Sequence, residues 1–195
     1  MRRALLGIGA MSLALSACGG GGDVESGPAQ PREIEAADAA AGCGPVVKFP
    51  EGSRQHVPQG TTVSYSTQPP VTGDHEGIWG ATGTYAKEIP DEVQVHNLEH
   101  GHVLIQYVPG EIDGPVLDGL VALARSNSEW ILLAPRSADR FVPKASLAFT
   151  AWQVLRGCET PSEKAVDAAK AFVAKYGKKA PERIPGDPIR ETPPR

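Results

Sequence analysis

The chain has 195 residues, 41% hydrophobic and 22% charged, with a formal net charge of −4. That length fits one globular domain with tails, and without a basic surplus to neutralise phosphates nucleic acid is excluded as an expected partner. Beyond the amino terminus, no apolar run approaches the roughly 18 residues that a membrane-spanning helix needs.

Arg2 and Arg3 lead into an apolar run from Ala4 to Leu15. A basic start and a short apolar stretch are expected of a secretory signal over residues 1–17, too short to cross a bilayer. It ends in Leu15-Ser16-Ala17-Cys18-Gly19, which resembles the lipobox of bacterial lipoproteins. That resemblance implies cleavage before Cys18 and acylation of its thiol and new amino group. The expected partner is therefore a membrane, reached through a lipid anchor at Cys18. The expected location is the cell envelope, facing the periplasm or the exterior, and the outer membrane in a two-membrane bacterium. Losing the two arginines of the signal takes the basic residues from 19 to 17 against 23 acidic ones, a formal charge of −6.

Residues 18–42 are glycine-rich, acidic and poor in large apolar groups, as a flexible tether would be. The domain is expected over 43–177. Cys43 and Cys158 are the cysteines left, and two cysteines in an exported chain have one pairing, so a disulfide is expected. The competing reading makes Cys158 a free thiol or a metal ligand.

Thr61 to Ser66 alternates as a short strand should, with Val63 and Tyr65 on one face. A stretch rich in proline and glycine follows, from Gln68 to Gly83, and carries His75 and Trp79. Irregular sequence of this length inside a domain is usually functional or disordered. Pro90 to His100 reads either as a short helix ended by Gly101 or as an extended loop, since Val93 and Val95 alternate. Residues 102–108 read as a strand with Val103, Ile105 and Tyr107 on one face and His102, Leu104 and Gln106 on the other. Gly114-Pro115 opens a helix with Leu117, Leu120, Val121 and Ala124 as its buried stripe. Residues 130–134 form a buried strand stopped by Pro135, and 147–155 another. Thr160-Pro161-Ser162-Glu163 reads as a capping box before a helix ending at Gly177. Residues 178–195 read as a proline-rich disordered tail. The order predicts a single α+β domain: a mixed or antiparallel sheet, about two packed helices and a long Pro/Gly-rich loop. A ferredoxin-like layout is one arrangement that fits.

The chemistry concentrates in His96-Asn97-Leu98-Glu99-His100-Gly101-His102, which holds three of the five histidines. Imidazole is the usual neutral metal ligand. On a helical turn His96 and His100 point the same way. The expected donor set is His75, His96 and His100, with Glu99 or His102 as a fourth ligand or as an acceptor fixing an imidazole tautomer. Nitrogen and oxygen donors in that number suit zinc or copper(II). A lone histidine is usually structural, and His56 is left outside the set. His96-x-x-Glu99-His100 also spells the H-x-x-E-H string of zinc peptidases, but Gly101 and the strand after it break the long helix such a site needs. A small zinc hydrolase stays open beside the metal-binding reading. So does a structural role, in which His96 and Glu99 form a buried pair holding the loop of residues 67–83.

Five pieces occur in order: Tyr65 through Pro69-Pro70, Thr72-Gly73-Asp74-His75, Gly83-Thr84-Tyr85, His96 through Gly101, and Ala148-Phe149-Thr150-Ala151-Trp152. Together they resemble a bacterial family of exported or membrane-anchored proteins, the domain of unknown function numbered three-one-zero-five. The resemblance spans roughly residues 55–183 and implies that His75, His96, Glu99 and His100 belong to its signature. His102 stands where that signature is permissive. The resemblance implies no activity.

Overall fold

A computed structural model describes residues 29–141 and 144–187. Three long neighbouring strands carry the domain: β6 (Val103–Tyr107), β7 (Ile131–Pro135) and β8 (Leu147–Ala151), numbered in chain order. β6 pairs parallel with β7 and antiparallel with β8. Around them lie β1 (Arg32–Glu35), β2 (Val46–Lys48), β5 (Gly83–Thr84) and β9 (Val154–Cys158), giving one mixed sheet in the order β1-β2-β9-β8-β6-β7-β5. Apart from the parallel pairs of β7 with β6 and β5, its neighbours run antiparallel. The protein is a single α+β domain. The β6-to-β7 crossover leaves those strands adjacent, whereas a ferredoxin-like layout places another strand between them.

Helix α2 (Gly114–Ser126) and helix α3 (Ala165–Tyr176) cover one face of this sheet. They bury Leu120, Leu123, Ala169 and Phe172 against Val103, Ile105, Ile131, Leu133 and Phe149. Helix α1 (Asp91–Glu99) covers the other, packing Val95 and Leu98 on Leu104, Leu132, Ala134 and Trp152. The alternation read along 102–108 therefore holds: the odd residues face α2 and α3, and Leu104 faces α1.

Helix α1 has no apolar stripe, because it is buried on two sides. One side meets the sheet. The other meets a separate parallel ribbon of β3 (His56–Val57) and β4 (His75–Glu76). Its start is fixed by charge. Asp91 accepts from buried Arg136 at 2.6 Å and from Arg140 at 2.7 Å, while Arg136 also reaches Gln68. A buried guanidinium is tolerable only with such partners. Its end is fixed by Gly101, whose φ of +89° is the left-handed terminator expected there.

Several expectations change. Residues 61–66 form no strand; Val63 donates to the Glu92 carboxylate and Tyr65 to the Asp74 carbonyl instead. Residues 147–158 are two strands, turned at Trp152-Gln153 with Gln153 at φ +62°. The capping box does not form: α3 starts at Ala165, and the Ser162 hydroxyl accepts from Lys164 N–H just outside it. Part of the expected tether is structured, since Arg32–Glu35 pairs with β2. Part of the expected tail is structured too. Residues 178–187 form a strap whose N–H groups donate to carbonyls at the end of α1: Lys178 to Gly101, Glu182 to Glu99 and Ile184 to His100. These were orphan helix-end acceptors. Lys178 and Arg183 flank the Trp130 ring and pin the strap. Cys43 and Cys158 are disulfide-bonded, joining the start of the domain to the end of β9. Among the described residues no helix is long and apolar enough to cross a membrane. The expected signal and Cys18 lie outside the described residues.

Candidate metal centre

Strand pairing builds the site. In the β3–β4 ribbon His56 stands directly opposite His75, so the two rings lie side by side, 5.1 Å between centroids. Helix α1 brings His96 against both, at 4.9 Å from each. One turn on, Glu99 places a carboxylate oxygen 3.0 Å from His75 Nε2. His56, His75, His96 and Glu99 each offer a donor atom, and the four atoms lie within 4.8 Å of one another. His75, His96 and Glu99 are buried, and His56 is exposed.

Tautomers follow from the backbone. His75 Nδ1 is 2.9 Å from the Gly73 carbonyl, and His96 Nδ1 is 2.8 Å from the Glu76 carbonyl. A carbonyl only accepts, so each Nδ1 carries a hydrogen, and Nε2 is the nitrogen each ring turns toward the donor group. His75 Nε2 is buried and makes no hydrogen bond, although the Glu99 carboxylate is beside it. A lone pair held against a carboxylate is unfavourable unless a proton or a cation lies between them. Burial, the largest cause, holds His96 below the ordinary histidine value, so its imidazole is neutral. Arg54 approaches the other Glu99 oxygen at 3.4 Å, but its side chain is half-exposed, so this contact contributes little.

His100 and His102 lie outside this four-donor group. His100 stands 4.5 Å from His96 between ring centroids, and its Nε2 faces Glu182 of the strap at 3.7 Å. Burial, with His96 next in weight, pushes it down to about 4. His102 is further in; its Nδ1 accepts from Asn97 Nδ2 at 3.0 Å, and burial pushes it also down to about 4. Asn97 is fully buried and holds both backbone groups of Gly80, each at 2.8 Å, fixing the loop that carries Trp79. The partner of Glu99 is His75, and His96 does not pair with it; His96 instead holds the 67–83 loop through the Glu76 carbonyl. His56 and Asn97 are the residues that sequence reasoning passed over.

A search of curated proteins and a search of solved structures each return no match. A family model does match, over residues 56–187, a span running from the first ribbon histidine to the end of the strap and so enclosing the donor group and its walls. The chain belongs to the family described as Protein of unknown function (DUF3105).

Proposed function

We propose that the protein is a cell-envelope lipoprotein whose domain binds one divalent transition metal, zinc or copper(II), through His56, His75, His96 and Glu99. The carrying observation is the pair of Nδ1–H groups donated to backbone carbonyls. Metal-bound histidines commonly donate their second ring nitrogen in this way, which fixes the tautomer and aims the other nitrogen. The orphaned His75 Nε2 facing Glu99 is the second support: a cation there pairs both groups at once. Donors at about 2.05 Å in a tetrahedron stand roughly 3.4 Å apart. The group, with its atoms within 4.8 Å, needs to close by an ångström or so. His56, exposed on a two-residue strand, has the freedom to do this.

The test is calorimetric titration of purified, metal-free protein with each metal. His75→Ala and His96→Ala are expected to abolish binding, His56→Ala, which removes the exposed donor, to weaken it, and His102→Ala, whose side chain lies beyond Asn97, to preserve it. Wild-type binding weaker than about 10 μM for both metals sinks the reading. In a structural alternative His75 is protonated and forms an ion pair with Glu99, as their 3.0 Å contact allows. That predicts no metal affinity, with destabilisation by Glu99→Gln. Anchoring is tested separately: Cys18→Ala should release the protein from membranes or block its processing.

A further inference from the structure

Among the described residues the exposed large apolar side chains are Ile78 and Trp79, each 46% exposed, and Ile184 at 39%. Trp79 and Ile184 both adjoin His100, and Ile78 is the chain neighbour of Trp79, so the three residues belong to one corner around that histidine. The Trp79 ring lies edge-on to His96 and His100, with centroids 5.1 and 4.6 Å away. Ile184, on the strap, donates its N–H to the His100 carbonyl at 3.1 Å. Ile78 lies between Trp79 and Gly77, and the His56 ring comes against Gly77. Single exposed apolar residues are ordinary on a protein surface, but a gathered set beside a polar centre marks a binding surface.

A metal in the donor group would meet solvent on the side of His56, the exposed donor, and the His56 and Trp79 rings both adjoin the His96 ring, at 4.9 and 5.1 Å. We propose that the corner binds a small molecule that coordinates the metal through a neutral nitrogen and lays a flat apolar body on Trp79, with Ile78 and Ile184 at its edges. The proposal rests on the metal reading above. Zinc held by three buried protein donors keeps a fourth position for an outside ligand, and His56 can yield or share it. An indole with half its surface in water offers apolar area and a ring face to an incoming ring. Apolar walls with a few converging polar groups are the usual make-up of a small-molecule site. Charge near the donor group is mixed: Arg54 pairs with Glu51 and Glu99 while Glu182 faces His100, so a neutral ligand meets no strong opposing field.

Imidazole and 4-phenylimidazole test this, since they share a coordinating ring and differ by a phenyl group. Zinc or copper(II) is titrated first, alone, to establish loading. On the loaded protein, 4-phenylimidazole should bind about tenfold tighter than imidazole, the gain expected when roughly half a phenyl ring leaves water. Trp79→Ala should bring that ratio close to one, and Trp79→Phe should restore most of it. The ratio is taken within each variant, so a change in metal affinity does not move it. Ile184→Ser, on the strap, should lower the ratio in part and serves if Trp79→Ala does not fold. Equal binding of the two probes to the loaded wild type overturns the proposal and leaves the metal site standing. So does a ratio that survives Trp79→Ala. Failure of both metals to bind overturns the metal reading and this proposal with it.

Discussion

Asn97 is the residue whose removal should report most directly on how the site is held. It makes no contact expected of a ligand, yet its amide joins three structures: the Gly80 N–H and the Gly80 carbonyl at 2.8 Å each, and His102 Nδ1 at 3.0 Å. Asn97→Ala leaves all three without that partner. Gly80 is half-buried, so water can replace part of its loss, at about 1 kcal/mol for the pair. His102 is fully buried, and its stranded acceptor adds about 1–3 kcal/mol. The expected cost is therefore about 2–4 kcal/mol. For a domain of this size that is a fall in Tm of roughly 6–12 °C. Urea denaturation followed by intrinsic tryptophan fluorescence is the assay, because Trp79 sits on the loop that Asn97 fixes. Asn97→Asp preserves shape and the acceptor for Gly80 N–H, but sets a carboxylate oxygen against the Gly80 carbonyl and His102 Nδ1. It should cost at least as much at pH 7. A loss below about 1 kcal/mol for both variants would refute the reasoning, since the amide would then be no better than solvent for its three partners.

Removing the disulfide with Cys43→Ala and Cys158→Ala opens a loop of 115 residues. The chain-entropy argument puts the cost at about 4–5 kcal/mol, and unchanged denaturation midpoints would contradict it. Acid should destabilise the fold through His102. Its folded value is about 4 and its ordinary value 6.5, so the unfolded chain binds the extra proton in between. Stability should fall as pH drops from about 6.5 to 4 and level off below, by up to about 3 kcal/mol from this group, with His100 acting in the same direction. A Tm that does not change across that range, after allowance for the carboxylates, would count against it. Arg136→Ala should cost about 3–5 kcal/mol, because it leaves buried Asp91 with the half-exposed Arg140 as its remaining cation and the Gln94 amide as its neutral partner. A neutral result by urea denaturation would show that the start of α1 is not held by this pair.

The sheet was legible where one physical signal dominated. The alternation from Val103 to Tyr107 and the proline-opened α2 follow from side-chain period and backbone chemistry, and they stand where expected. The misses have common causes. Helix α1 was readable either way because burial on two faces erases the apolar stripe that marks a surface helix. The β8–β9 hairpin read as one strand because its turn uses Gln153 at φ +62° in place of the glycine or asparagine that would announce it. The strap read as a disordered tail because proline and charge set its composition. Its order comes from other elements, through the α1 carbonyls it caps and the Trp130 ring it straddles.

At the site, short-range spacing picked out the segment that carries His96 and Glu99 and grouped His100 with them. Four-residue spacing does bring the His96 and His100 rings together, at 4.5 Å. Proximity to one histidine is not membership of a donor set, however. That membership depends on which nitrogen the backbone leaves bare and on which side the ribbon approaches. The ribbon approaches with β3 and β4 in parallel register, a pairing of two residues with two that no periodicity window can detect. That register converts His56 from an isolated histidine into the solvent-side partner of His75. The carbonyls of Gly73 and Glu76, one before β4 and one at its end, then set the tautomers of His75 and His96. A single short ribbon thus supplies two of the four donors and orients the third, while α1 supplies the third donor and the carboxylate. The donor group exists only where the ribbon and α1 meet, which is why the helix is polar on its outer side and why the strap and Arg136 fix its two ends.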